Sequence, residues 1–506
     1  MRDWDAERLA RAAGAELISE GAMGAEPISE RAAGAELISE RAMSAEPGAA
    51  PGPVGVSIDS RTLAPGELFV GLGGARSDGG RFAAQALAAG AWGVLVAPEH
   101  ARAAAAATQS PERAAQRAIL AHRDPLAGLQ QLAHSWLAEL RRAGARAVAI
   151  TGSTGKTSTK DILAALLAGS LRVARSPENL NTEIGLPLAI LAAPSGTEAL
   201  VLELAMRGPG QIAALTQIAE PEVGVVLNVG PVHLELLGSL EAVAAAKAEL
   251  IAGLAPGASV VLPADEPLLD PHRRDDLVTI TFGPRGEVRL VDTDGDGGVV
   301  IEDRPLAGRS QDRASSGRER ARMELRPSFR QAHNLSNLLA AVAAARALGL
   351  TPSGELDVRF SGLRGEHVRL PGEIVLIDDC YNANPMSMRA AIDDLIASAQ
   401  GRRVAVLGDM LELGPEGPEL HRQIGAYAAE RGVDVLVTVG PLAAQMGDVF
   451  DGEQRAAPDA QRAAELVAQL LLAGDTVLVK GSRGVGLERV AQTLARTPEH
   501  ARAGGG

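Results

Sequence analysis

The sequence predicts an α/β protein of about three domains, and two stretches carry that reading. At 147–167 (AVAITGSTGKTSTKDILAALL) an apolar run breaks into a glycine-rich turn. The pattern then turns helical, with Ile162, Leu163, Leu166 and Leu167 on one face. Beyond residue 357, apolar runs at 373–377, 403–407, 434–439 and 476–479 alternate with helical patterns, which specifies a doubly wound, mostly parallel sheet. The expected division of the 506 residues is a small N-terminal α/β domain over 1–123, a central domain with a mostly parallel sheet over 124–355, a C-terminal Rossmann-like domain over 356–495 and a disordered tail over 496–506.

Composition narrows the classes. With 46% apolar and 22% charged residues the chain reads as globular, and with only six Phe, three Trp and two Tyr its core must be built from Ala, Leu and Val. A net charge of −14 with no basic block to offset it excludes nucleic acid as an electrostatic partner. The single cysteine, Cys380, rules out an intrachain disulfide and suits a reducing compartment. No apolar run approaches the ~20 residues of a membrane span, and the first residues lack the apolar core of a signal peptide. A cytoplasmic monomer without membrane insertion is expected.

RAAGAELISE occurs at 11–20 and again at 31–40, interleaved with related units to residue 47. About two repeats are too few for a solenoid, and Pro27 and Pro47 interrupt any continuous helix. The segment 11–47 is expected to be an exposed, disordered insert with no part in the chemistry. Strands are expected at 54–58, 67–72 and 93–97, a helix at 83–90, and helix plus linker over 101–123. Pro125 opens an amphipathic helix through Leu126, Leu129, Leu132 and Trp136. Asp59-Ser60-Arg61 at a strand end could hold a phosphate or a uracil edge, or simply cap a turn.

The turn Thr151-Gly152-Ser153-Thr154-Gly155-Lys156-Thr157 carries the chemistry. Glycines let backbone N–H groups close around phosphate oxygens, and the helix N-terminus adds a favourable dipole. Lys156 would reach the terminal phosphates, and the Thr157 hydroxyl would hold Mg²⁺. Ile150 stands where the common pattern has its first glycine, so the loop is a shortened one. Strand before and helix after distinguish it from a plain glycine turn with a solvated lysine, and a nucleoside triphosphate is the expected ligand.

Further candidates stand at element ends. Glu203 closes an apolar run at 200–204 and would face either Mg²⁺ or solvent. His233 follows the strand expected at 223–228 and is structural or functional depending on its neighbours. Lys247 lies among alanines on the capped helix expected at 239–250, where a snorkelling surface residue is the plain reading. The stretch 292–303 imitates a calcium loop, but strand-like flanks make it a hairpin. Asn334 and Asn337 share a helix face and either contact an adenine edge or cap the helix. Asp378 to Pro385, Gly408-Asp409-Met410 and Lys480 to Arg483 all follow strands of the last domain and so face one cleft. Cys380 in the first of these has no base nearby and is a bystander.

The ordered stretches DSRTLAPGELFVGL, TGSTGKTSTK, NLNTEIGLP, ELAMRGPG, LNVGPVHLE, AAAKAEL, HNLSNLLAA, LRGE, DDCYNANPMSM, LGDMLELG and VKGSRG resemble the Mur ligases over about residues 54–490. DDCYNANP and the short phosphate loop look most like the member that adds a D-alanyl-D-alanine dipeptide. The resemblance implies an ATP-dependent ligase of peptidoglycan synthesis. ATP would phosphorylate the terminal carboxylate of a UDP-N-acetylmuramoyl tripeptide, and the amine of D-alanyl-D-alanine would attack the acyl phosphate. It implies that Gly152, Ser153, Thr154, Gly155, Lys156, Thr157, Ser158, Asn334, Arg364 and Asp379 bind ATP. Asp59, Ser60, Arg61, Asn179, Asn181, Thr182, Tyr381, Asn382 and Asn384 would bind substrate, making the first domain the UDP-binding one. Lys156, Glu203, His233 and Lys247 would be catalytic, with Thr157, Glu203, His233 and a carbamylated Lys247 holding two Mg²⁺ ions. Lys480, Ser482 and Arg483 would line the cleft in no assigned role. Thr182 departs from the family, where asparagine is common, and the repeated insert has no counterpart in it.

Neighbouring enzymes share the phosphate loop. A folylpolyglutamate synthase would begin with the ATPase domain, so the DSR stretch speaks against it. The NANP loop speaks against the sister ligase that adds the third amino acid. A nucleotide switch that makes no bond would have no use for Glu203, His233 and Lys247 together.

Overall fold

The computed structural model describes residues 1, 3–18, 52–74, 77–107, 117–177, 179–304 and 320–496. They form two compact units, residues 1–146 with 179–200, and residues 147–178 with 201 onward.

In the first unit, β1 (Glu16–Leu17), β2 (Val56–Ser57), β3 (Leu68–Val70), β4 (Gly93–Val96) and β5 (Ala118–Ala121) form one sheet in the order β1-β5-β4-β3-β2. The β2 to β5 ladder is parallel and β1 runs antiparallel to β5. β3, β4 and β5 are buried along their whole length, the pattern of parallel strands covered on both faces. β5 corrects the linker expected up to residue 123. Its sequence, Ala-Ile-Leu-Ala, is too short and too poor in β-branched residues to announce a strand.

The N-terminal repeat needs a second correction. Residues 19–47 lie outside the described residues, but the start of the first copy is built into the sheet. A helix at Ala6–Ala12, capped by Asp5, leads into β1, and Leu9 and Ala13 are fully buried. Trp4 stacks edge-on against Trp136 at 5.6 Å, and its indole N–H donates to Glu139 at 2.9 Å. Trp136 belongs to the amphipathic helix Pro125–Arg142, whose Asp124 cap accepts from the N–H groups of Leu126 and Ala127. That helix and the segment 179–200 belong with the first unit, so the boundary expected at 123/124 falls inside it.

The second unit holds two sheets. The larger contains β6 (Arg146–Thr151), β7 (Val173–Arg175), β8 (Ala199–Glu203), β9 (Val223–Val226), β10 (Ser259–Pro263), β11 (Val278–Phe282), β12 (Val288–Thr293), β13 (Val299–Asp303), β14 (Ala321–Pro327) and β15 (Gly354–Leu356). Their order is β15-β14-β13-β12-β11-β10-β9-β6-β8-β7. β6, β9, β10 and β11 run parallel, and β12 to β14 form antiparallel hairpins. The calcium-like stretch is the β12–β13 turn, where Asp294 accepts from the N–H groups of Asp296 and Gly298. Asp303 is buried against Arg346 at 3.0 Å.

The smaller sheet has the order β16 (Glu366–Leu370), β17 (Ile374–Asp378), β21 (Thr476–Lys480), β18 (Arg403–Gly408), β19 (Val435–Val439) and β20 (Glu453–Ala457). Only β16 is antiparallel. Strand residues alternate between two apolar layers. Val404, Val406 and Val437 pack with the helices Ala460–Leu470 and Glu488–Arg496, whereas Ala405, Leu407 and Leu436 pack with Pro385–Ser398 and Gly417–Glu430. This is the doubly wound arrangement. Four of the five residues of β20 are exposed, so no hydrophobic pattern marks it in the sequence.

Leu9→Ala should cost about 2–5 kcal/mol and lower the thermal midpoint. A midpoint equal to that of the parent would mean that the N-terminal helix is not part of the folded core.

Candidate active site

β6 runs into Gly152 to Gly155, and the helix Lys156–Ala168 starts directly behind that loop. Gly155 has φ +79°, and a Cβ there would collide with the Asn337 carboxamide, so both backbone angle and space demand glycine. Asn228, just beyond β9, steadies the loop by accepting from the N–H groups of Ser153 and Thr154, both at 3.0 Å. Ser153 Oγ donates to the Gly230 carbonyl at 3.1 Å. Asn228 escaped the sequence reading because it stands far from the loop in the chain and only β6–β9 pairing brings the two together.

Lys156 Nζ donates back to the Gly152 carbonyl at 2.9 Å. Thr157 Oγ1 donates to Glu203 Oε2 at 2.8 Å, and both side chains are 2% exposed. The solvent-facing reading of Glu203 is therefore wrong. Hydroxyl and carboxylate are hard oxygen donors, and with phosphate oxygens and water they suit Mg²⁺. Among the described residues no three His, Cys, Asp or Glu side chains gather as a metal cluster.

The snorkelling reading of Lys247 is also overturned. The side chain is 2% exposed. Burial, reinforced by the charge of Lys156, drives its amine well below the ordinary lysine value. Of the alanines that hid it in the sequence, Ala244, Ala246 and Ala248 are in the core and Ala245 is exposed. His233 adopts a left-handed backbone at φ +53° and pairs through Nδ1 with the Glu412 carboxylate. Burial holds its pKa down, Glu412 opposes this, and Lys156 and Lys247 add to the depression. Burial likewise lowers Lys156, with Glu203 opposing and Arg364 adding. Glu203, His233, Lys247 and Arg364 thus all lie within electrostatic reach of Lys156.

Asn334 and Asn337 are buried and bonded to each other at 3.3 Å. They stand inside the helix Ala332–Ala347, whose cap position is Gln331, so the capping reading is ruled out. Arg364, just before β16, lies over the Tyr381 ring at 4.1 Å, and Arg483, just after β21, over the same ring at 5.4 Å. Lys480, 2% exposed, donates to Asp379 Oδ2 at 2.7 Å and to the Asn382 carbonyl at 2.9 Å, which ties the Asp379–Asn382 turn to the end of β21. Asn384 caps the helix Pro385–Ser398, which commits its side-chain oxygen to the Ser387 N–H. The Cys380 thiol donates to Asp378 at 2.6 Å and is pushed far above its ordinary value by burial and that carboxylate, so it is no nucleophile.

The remaining candidates belong to the first unit. Asp59 grips the Arg61 guanidinium at 2.6 Å, which draws the Asp59 carboxyl down to about 2 and aims an exposed arginine outward. The helix Gly185–Leu191 packs against β2. Asn179, Asn181 and Thr182 before that helix, and Asp59, Ser60 and Arg61 after β2, therefore flank adjoining elements. The Thr182 hydroxyl accepts from the Gly185 N–H at 3.3 Å.

A glycine loop at the head of a helix, a buried hydroxyl–carboxylate pair behind it, and a doubly wound sheet in the same unit define a phosphate-loop α/β protein. The chain belongs to the Mur ligase family. The family's catalytic-domain model matches residues 54–136, its middle-domain model 150–345 and its glutamate ligase domain model 363–483. The UDP-N-acetylmuramoyl-tripeptide–D-alanyl-D-alanine ligase of Bacillus subtilis is 33% identical over 88% of this chain and 93% of its own. The enzyme of the same name from Mycobacterium tuberculosis H37Rv is 36% identical over 87% and 91%. Among solved structures, MurF from Acinetobacter baumannii superposes with a TM-score of 0.77 at 25% identity, covering 98% of this chain and 99% of that one. MurF ligase from Thermotoga maritima, in complex with ADP, gives 0.70 at 29% over 87% and 97%.

Lys247→Met should raise the thermal midpoint of the chain carrying the free amine, because the native state binds fewer protons at this position than the unfolded chain. The penalty is fully present below the depressed native pKa and fades as pH rises toward the unfolded value of about 10.4. The gain from Met should fade with it. Melting curves from pH 7 to 10 check this, and a gain independent of pH would contradict it.

Proposed function

We propose that this chain is an ATP-dependent ligase that joins D-alanyl-D-alanine to UDP-N-acetylmuramoyl tripeptide in peptidoglycan precursor synthesis. The observation that carries the reading is whole-length similarity to relatives of that one name, from 31% to 36% identical over 87–88% of this chain. A reducing compartment fits the single, buried thiol, and among the described residues no helix is long and apolar enough to cross a membrane.

In this reading Gly152 to Ser158 wrap the phosphates of ATP, with Asn334, Arg364 and Asp379 on the rest of the nucleotide. Asp59, Ser60, Arg61, Asn179, Asn181 and Thr182 hold the UDP-sugar, while Tyr381, Asn382 and Asn384 hold the peptide end. Lys156 draws charge off the γ-phosphate as the tripeptide carboxylate oxygen attacks phosphorus and ADP leaves. The D-alanyl-D-alanine amine then adds to the acyl carbon, and the tetrahedral intermediate expels phosphate to leave the amide. Alignment and exclusion of water matter more here than acid–base groups, because an acyl phosphate exposed to water hydrolyses.

Thr157 and Glu203 would hold one Mg²⁺, which supplies charge neutralisation between the two approaching anions. An imidazole and an amine make a poor second site. Lys247 suits one only as the carbamate, formed when its nitrogen adds to CO₂ and releases a proton. A buried amine of lowered pKa favours that reaction, since the neutral form is the nucleophile. His233 and the carbamate oxygens would then face the second ion together.

Phosphate release from ATP and Mg²⁺ should require both UDP-N-acetylmuramoyl tripeptide and D-alanyl-D-alanine, and mass analysis should find the pentapeptide. Release with the dipeptide precursor and a diamino acid instead would move the chain to the sister ligase. ATP binding without turnover on any pair would leave a nucleotide switch. Lys156→Met should lower kcat by about 10²-fold or more.

A further inference from the structure

One buried carboxylate of the second unit has no part in this scheme. Asp161 stands on the helix behind the glycine loop and is 1% exposed. Its Oδ1 accepts from Arg175 at 2.6 Å and lies 3.6 Å from Lys160 Nζ. Its Oδ2 is given to Ser361, from both the backbone N–H at 2.8 Å and the hydroxyl at 3.0 Å. Two cations nearby would satisfy the charge on the carboxylate. The Ser361 contacts do something else, because they reach across 200 residues of chain to the segment between the two sheets.

That segment carries Arg364. From Ser361 the backbone turns through Leu363 at φ +61° and Gly365 at φ +70°. The Arg364 guanidinium then lies on Tyr381 and acts on Lys156. A turn with a non-glycine left-handed residue holds only where its surroundings fix it, and the Asp161 bonds fix its first residue. The same carboxylate is joined to the phosphate side. Lys160 Nζ donates to the Ser176 carbonyl at 2.9 Å, the Ser176 hydroxyl accepts the Glu203 N–H at 3.2 Å, and Glu203 accepts from Thr157. A run of hydrogen bonds and one ion pair, Lys160 to Asp161 at 3.6 Å, therefore connects the hydroxyl of the phosphate loop with the origin of the Arg364 turn.

We propose that Asp161 is a positioning residue for Arg364. By holding Ser361 through two bonds it fixes the turn that delivers the guanidinium to the nucleotide, so the helix that cradles the phosphates also sets the arginine that closes on them. This rests on the reading of Arg364 as a nucleotide contact.

The experiment is a double-mutant cycle on the full chain with Asp161→Asn, Ser361→Ala and Arg364→Ala. It reads ADP affinity by calorimetry together with KM for ATP and kcat. Arg364→Ala and Asp161→Asn should each weaken ADP binding and raise KM for ATP by about 10- to 100-fold, and the double variant should be no worse than the poorer single one. Ser361→Ala keeps the backbone bond and the buried charges. It should raise KM for ATP about threefold with at most a small fall in thermal midpoint, and the KM increment should vanish in the Arg364→Ala background. A carboxylate that serves only the fold would instead give losses that multiply with those of Arg364→Ala, and that result overturns the proposal. So does parental ADP affinity in Arg364→Ala or in Ser361→Ala and Asp161→Asn together. Should Asp161→Asn fail to fold, the Ser361→Ala and Arg364→Ala cycle decides alone. If the parent binds ADP but makes no pentapeptide, the ligase reading fails while the ADP titrations still decide the role of Asp161.

Discussion

Charge imbalance around the glycine loop is the constraint that the second unit is built to meet. Lys156, Lys160, Lys247 and His233 all have their protonated forms disfavoured by burial, and Arg364 and Arg175 add further positive charge. Against them stand Glu203, Asp161 and Glu412. Burying that much cationic character against so few carboxylates is unfavourable in a protein of net charge −14, unless a polyanion completes the balance. In the proposed reading a triphosphate supplies that anion, and the depressed amines accord with a site for it.

Meeting this constraint requires close packing, and alanine makes that possible. The helix Ala332–Ala347 lies against the phosphate-loop helix Lys156–Ala168. Ala340, Ala341, Ala343, Ala344 and Ala345 in it are buried to 1% or less. Small side chains let the two helices approach until the Asn337 carboxamide meets the backbone at Gly155. The scarcity of aromatic residues thus bears directly on the site. A larger residue at these alanines would push Asn334 and Asn337 away from the loop that they back.

The parts legible in the sequence are those with local signals. Strand, glycine loop and helix at 147–167 announce themselves because one short stretch holds all three. The β12–β13 hairpin, the helix start at Pro125 and the doubly wound alternation after residue 357 are equally local. What stayed hidden depends on partners distant in the chain. Asn228, Glu412 and Asp161 acquire meaning only through partners far along the chain, the glycine loop, His233 and Ser361, and Lys480, placed at the cleft by sequence, gains its role only once β17 lies beside β21. Lys247 stayed hidden for a different reason. Alanine flanks are ambiguous between a solvated and a buried helix face, and no period separates them. The first copy of the N-terminal repeat misled because its similarity to its neighbours outweighed the Leu9 and Ala13 positions that anchor it.

Lys480 shows how the smaller sheet turns a strand end into a rigid binding edge. The long side chain is buried, so its ammonium needs nearby acceptors, and Asp379 Oδ2 and the Asn382 carbonyl supply them. Removing one partner of such a pair leaves a charge stranded, at a cost of about 3–5 kcal/mol. The pair therefore fixes the turn from Asp379 to Asn382. Tyr381 lies within that turn, and its ring is the platform on which Arg364 and Arg483 rest. Two independent supports thus converge on one guanidinium. Lys480 fixes the surface beneath Arg364, and Asp161 fixes the chain that carries it. An arginine held from both sides loses little further freedom when an anion arrives, so more of the contact energy is left for binding and alignment.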